Sequence, residues 1–142
     1  MAIKVTERPD FAKMSDELNR LLEDTFDRAI GDEVEELVSR TESGLDVNGA
    51  RFVAYSPAYA AKRAEAGKGT RPNLTWSGNM LVSITHTVRR VGKSIIGTVF
   101  FNSSKEALKA EGNMKNREFF GFSEEQIQNI KEAIRRAING RG

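Results

Sequence analysis

The residues that could carry chemistry in this chain are few and scattered. His86 is the only histidine and there is no cysteine. Neither an activated thiolate nor a zinc site of the Cys/His kind can therefore be assembled. His86 lies inside an alternating apolar pattern with Ile84 and Val88, the setting of a structural histidine on a strand. Gly67-Lys68-Gly69-Thr70 has the outline of a phosphate loop. Lys62, however, stands where the first glycine belongs, and Gly69 where the hydroxyl residue is required. Glu124-Glu125 falls in the first turn of a helix, where the macrodipole favours acids. A carboxylate pair for acid/base work is not needed to explain it. No catalytic residue, metal or cofactor is expected, and the chain is read as a non-enzyme.

Basic side chains offer a second kind of chemistry. Arg71, Arg89, Arg90 and Lys93, with Lys62, Arg63 and Lys68, could meet phosphates. They lack a recognition helix or an aromatic stacking platform beside them. The net charge of +2 conceals a division along the chain. Residues 1–42 hold 12 acidic against 6 basic side chains, and residues 43–118 hold 5 against 12. Such segregation suits nucleic-acid contact, a charge-complementary subunit contact, or simply solvated faces.

A length of 142 residues is expected to form one domain, 1–142, with a helical part up to residue 42 and a body from 43 onwards. No apolar run nears the roughly 18 residues of a membrane span, so no membrane partner is expected. The start lacks a signal-peptide pattern, which makes a cytoplasmic origin the expectation.

The elements that must position these residues follow from apolar spacing. Phe11, Met14, Leu18, Leu21, Leu22, Phe26, Ile30, Val34, Leu37 and Val38 mark an amphipathic helix over 10–42. Gly31-Asp32 is the one place it could break, although the apolar phase runs through without a slip. At about 1.5 Å per residue such a helix is roughly 50 Å long, against some 35 to 40 Å for a compact domain of this size. Part of it is expected to project and lay its stripe, beginning with Phe11, Met14 and Leu18, on a neighbouring subunit. Packing on its own sheet is the alternative.

Phe52-Val53-Ala54 reads as a brief edge strand, and Ser56-Pro57 opens a short helix ended by Gly67. Thr75 or Ser77 caps a second short helix leading into a strand. Segments 83–91 and 95–101 then form a β-hairpin around Gly92-Lys93. Asn102-Ser103-Ser104 caps a helix over 105–111, stopped by Gly112. Next, Asn116-Arg117-Glu118-Phe119-Phe120-Gly121-Phe122 places three of the eight phenylalanines in a polar neighbourhood. Fully burying one Phe stabilises by roughly 1.5 to 3 kcal/mol, so the fold or a partner must cover them. Ser123 and Gln126 make a capping box, and Ile127, Ile130, Ala133, Ile134, Ala137 and Ile138 follow at helical spacing. The expected class is α+β: a long N-terminal helix, a small antiparallel sheet with a central β-hairpin, short helices and a C-terminal amphipathic helix.

Three pieces in this order carry a resemblance. Ser56-Pro57-Ala58-Tyr59-Ala60-Ala61-Lys62-Arg63, then 74–84 with Trp76-Ser77-Gly78, then Gly112 with Asn116 through Ser123 resemble the phage virion morphogenesis or tail-completion proteins. These are small head-tail joining components of tailed bacteriophages. The resemblance covers about residues 49–138. It implies a structural virion protein that forms a ring, with six subunits expected, where head meets tail. Its implied partners are other copies of itself and other neck proteins (a connector or adaptor, a tail terminator or the tail tube), with non-specific contact to DNA in the channel. On that reading Phe11, Met14, Leu18, Arg117 and Phe119 face a neighbouring subunit, and Arg71, Arg89, Arg90 and Lys93 face the channel or DNA. Phe120 and Phe122 are expected to anchor the last helix to the sheet. A small DNA-binding module using the hairpin tip and the 67–73 loop is the alternative.

Overall fold

A computed structural model of the chain describes residues 1–9, 15–74 and 78–140. The fold is α+β, in the order β1 (Ile3–Glu7), α1 (Asp16–Glu42), α2 (Pro57–Glu65), α3 (Asn79–Val82), β2 (Ile84–Val91), β3 (Ser94–Phe101), α4 (Ser104–Met114) and α5 (Glu124–Asn139). The hairpin forms where the spacing predicts it, in register from Ile84↔Phe101 to Val91↔Ser94. Gly92, at φ +58°, begins its two-residue turn with a conformation that glycine adopts without penalty. Strand β1 was not expected. It pairs antiparallel to β3 from Ile3↔Val99 to Glu7↔Ile95, so β3 is the central strand.

One face of β3 carries Ile95, Gly97, Val99 and Phe101, all buried, while Ile96, Thr98 and Phe100 on the other face are half-buried. Helix α1 lies on the buried face. It starts at Asp16, where the Ser15 hydroxyl accepts from the Leu18 backbone N–H, and it runs through Gly31 without a break. The His86 ring rests beside that glycine, and its Nε2 is 2.8 Å from Asp27 Oδ1. Leu22, Phe26, Ile30 and Leu37 are wholly buried. The apolar stripe therefore packs on the chain's own sheet and on α5 rather than projecting onto a neighbour. Leu18, expected at a subunit contact, is partly buried against this same core. Phe11 and Met14 lie outside the described residues.

The direction of α1 follows from its contacts. Phe26 and Ile30 sit over Gly97, and Arg40 reaches the carbonyls of Phe119 and Gly121. The Phe119 ring packs edge-on to Phe101, at 6.4 Å between centroids, and Phe120 packs on Phe101 at 4.8 Å. The C-terminal end of α1 is thus at the Phe101 end of the sheet, and its N-terminal end is at the Gly92 turn.

Phe119 is fully buried, so the expectation that it presents surface to a neighbour is wrong. The fold itself covers the ring, because Arg40 gathers the segment around it. Arg40 donates to Gln126 Oε1 and to the two carbonyls, while Gln126 Nε2 donates to the Glu33 carbonyl at 3.1 Å. Burial pulls the Arg40 guanidinium below its ordinary pKa, against Glu36, Asp46 and Glu33, which raise it. The capping box is complete: Ser123 Oγ accepts from Gln126 N, and Gln126 Oε1 accepts from Ser123 N.

Three local expectations fail for local reasons. No strand forms at 52–54; an isolated bridge joins Leu45 to Arg51, and Phe52 alone enters the core. Helix α4 continues through Gly112 to Met114, since one interior glycine costs only about 1 kcal/mol. The N-cap of α3 is Gly78 at φ +82°, without a side-chain cap bond, and Thr75 and Ser77 lie outside the described residues.

The tightest contact in the core is between helix and sheet. A Cβ built on Gly97 would stand 1.9 Å from Ile30 Cδ1, and Ile30 is itself fully enclosed. Gly97→Ala should therefore cost about 1 to 3 kcal/mol by overpacking. Ile30→Val, which removes only that δ-methyl, should cost about 0.5 to 1.5 kcal/mol. In urea unfolding the double variant should lose clearly less than the sum of the two single losses; strict additivity would refute the contact.

Candidate functional site

Helix α2 is set by local signals. Pro57 occupies its first turn, and Ser56 Oγ accepts from Tyr59 N at 3.3 Å. The i, i+4 spacing of Tyr59 and Arg63 places both on the inner face, next to Tyr55, which comes just before the helix. The rings of Tyr55 and Tyr59 meet edge-on at 4.8 Å. Arg63 is 2% exposed, and its guanidinium carbon lies 5.1 Å from the Tyr55 ring centroid and 5.9 Å from that of Tyr59. Its Nε donates to the Gly69 carbonyl at 2.7 Å, and one terminal nitrogen donates to Asn73 Oδ1 at 3.3 Å. These bonds fasten the 66–73 loop onto the helix.

Arg117 also approaches Tyr55. Its guanidinium carbon is 4.8 Å from the Tyr55 centroid, and it donates to the carbonyls of Val53 and Ala54 at 3.2 and 3.1 Å. Two guanidiniums thus approach the Tyr55 ring, whose quadrupole is attractive to both, and its hydroxyl accepts from Leu74 N at 3.2 Å. Leu74 takes φ +57°, the left-handed region that costs a side chain roughly 1 to 2 kcal/mol.

Tyr55, Tyr59, Leu74 and Arg117 help to wall a cavity of about 920 Å³. Tyr55, Tyr59 and Leu74 form one side; Met80, Asn113 and Glu106 form the other. Its charged lining among the described residues is Glu106 against Lys62, Lys109 and Arg117. Glu106 stands in the first turn of α4, its backbone N–H donating to the Ser103 hydroxyl at 3.4 Å. Its side chain is 7% exposed; Oε1 accepts from Lys109 Nζ at 3.2 Å, and Oε2 is buried without a hydrogen-bond partner. An orphaned buried acceptor costs about 1 to 3 kcal/mol, more for a charged group.

The structure separates the other candidate residues. Arg89, Arg90 and Lys93 are exposed together at the hairpin tip. Arg71 is exposed next to Gly44, two residues beyond the end of α1 and so at the opposite end of the sheet. Seven steps of β3 put about 24 Å between these ends, so the four cations do not form one surface. Arg117 lies on the cavity wall, and His86 is held by Asp27 on the α1 face. Among the described residues no three His, Asp or Glu side chains gather as a metal site requires. Glu106 and Tyr55 drew no attention in the sequence, although Tyr55, Tyr59 and Arg63 at successive four-residue steps were a legible sign of a stacked cluster. No family model, curated protein or solved structure matches the chain.

Arg63→Ala removes the donor on which the Gly69 carbonyl depends and the cation between two rings. It should cost about 2 to 3 kcal/mol in urea unfolding and open the 66–73 loop to limited proteolysis. A loss below about 0.5 kcal/mol with unchanged cleavage would refute the anchoring role.

Proposed function

We propose that this chain is a non-enzymatic structural subunit of a tailed-phage virion, acting in tail completion or head-tail joining as a member of a ring at the neck. One observation carries this reading. The three segments that resemble tail-completion proteins lie far apart in the sequence, yet all three meet around the same cavity: Ser56, Tyr59 and Lys62 from the first, Leu74, Gly78 and Met80 from the second, Gly112, Asn116 and Arg117 from the third. Residues that recur together in a motif and converge on one concave surface suit a shared contact, whereas motifs that only held the core would be dispersed through it.

The charge distribution supports a ring. A subunit in a closed heterologous assembly needs two different complementary patches. This chain offers an acidic outer face on α1, with Asp24, Asp32 and Glu35 exposed, and a basic lining at the cavity. Other neck proteins and the DNA passage are the proposed surroundings, with the Arg89, Arg90 and Lys93 tip available for non-specific phosphate contact.

Light scattering and native mass measurement should show a closed oligomer, with six copies the expected number, either alone or on mixing with the products of neighbouring virion genes. A chain that stays monomeric in both conditions would contradict the ring.

A further inference from the structure

Helix α1 covers one face of the sheet, and the strand register fixes which side chains share the other. Thr98 stands between Lys4 and Thr87, and Ile96 stands between Thr6 and Arg89. Phe100, next along the same face of β3, is opposite Thr85. Lys4, Thr6, Thr87 and Arg89 are exposed, and the β3 side chains between them are half-buried. These rows hold two cations, four hydroxyls and no carboxylate. The Phe100 ring stands apart from the core under α1 and takes part in no ring contact among the described residues.

We infer that this open sheet face binds single-stranded nucleic acid, with a base stacked on Phe100 and the backbone phosphates following the strand towards Lys4 and Arg89. The charge is all of one sign and calls for an anion. Threonine hydroxyls donate to phosphate oxygens as lysine and arginine do, so the hydroxyls and the cations suit the same partner. The half-buried ring calls for a flat partner, and every base offers a π-face to an aromatic platform. A duplex presents its sugars and phosphates outward and keeps its bases stacked on one another. It would leave the Phe100 ring against charge, whereas a single strand satisfies the ring and the cations together. Ile96, the neighbour of Arg89, is four residues from Phe100, about 14 Å along β3. That length accommodates a run of nucleotides rather than a lone one.

The hairpin register is what makes the site. Phe100 is far from Lys4 and from Arg89 in the sequence, and pairing of β1 and β2 with β3 brings the three onto one surface. The inference goes beyond the ring reading and does not depend on it.

The test is fluorescence anisotropy of a labelled oligothymidylate of about 15 nucleotides titrated with the full-length chain, beside a duplex of the same length. Saturable binding is expected, tighter to the single strand than to the duplex, with log K falling against log salt at a slope of about −1.4, the value for two phosphate contacts to a single strand. Phe100→Leu, which keeps an apolar side chain in place, should weaken binding about fivefold or more. Lys4→Ala combined with Arg89→Ala, both at exposed positions, should reduce the salt slope to less than half and decides the matter even where Phe100→Leu disturbs the fold. No saturation up to about 1 mM, tighter binding of the duplex, equal displacement by polyglutamate, an unchanged slope in the double variant, or indifference of a folded Phe100→Leu chain would overturn the inference. Ring assembly without strand binding would leave the proposed function standing and remove this contact. Strand binding by a chain that never assembles would support the contact and contradict the ring.

Discussion

The distance between α1 and the sheet is set by a missing side chain. Ile30 puts its δ-methyl where a Cβ at position 97 would stand, so the helix comes close to the middle of the central strand. That approach brings Leu22, Phe26 and Leu37 into full burial. It also places Arg40, ten residues on, where it can reach across to Phe119, Gly121 and Gln126. Those bonds shape the turn that seats the Phe119 and Phe120 rings against Phe101. Arg117, two residues earlier, is thereby held on the cavity wall. A packing constraint in the centre of the sheet thus transmits to a surface feature about half a domain away.

Much of this was legible in the sequence because it is local. The Ser123 and Gln126 box, the Ser56-Pro57 start of α2 and the Gly92 turn each depend on residues within four positions of one another. What escaped depends on distant partners. The stripe on α1 looked unmatched because its cover is α5, some ninety positions later, together with β2 and β3. Phe119 looked exposed because Asn116, Arg117 and Glu118 precede it, whereas in space it packs against Phe101, eighteen residues earlier. Arg63 and Glu106 resembled ordinary charges on helical faces; only the packing of Tyr55, Tyr59 and the 66–73 loop encloses the one, and only α4 against α3 encloses the other.

The functional reading rests on what this packing brings together. Segments beginning at Ser56, Leu74 and Gly112 contribute to one concave surface that includes a strained Leu74 and a Tyr55 ring approached by two guanidiniums. Features that cost stability accumulate at sites that do something. The hairpin cations lie at the other end of the sheet. The two ends differ in chemistry, as successive subunits of a ring require.

Electron cryomicroscopy of the assembled particle neck tests the central claim most directly. The account predicts a ring containing this chain, in which a neighbouring protein covers the cavity. A neck without this chain, or a ring in which the cavity faces open solvent, would contradict it.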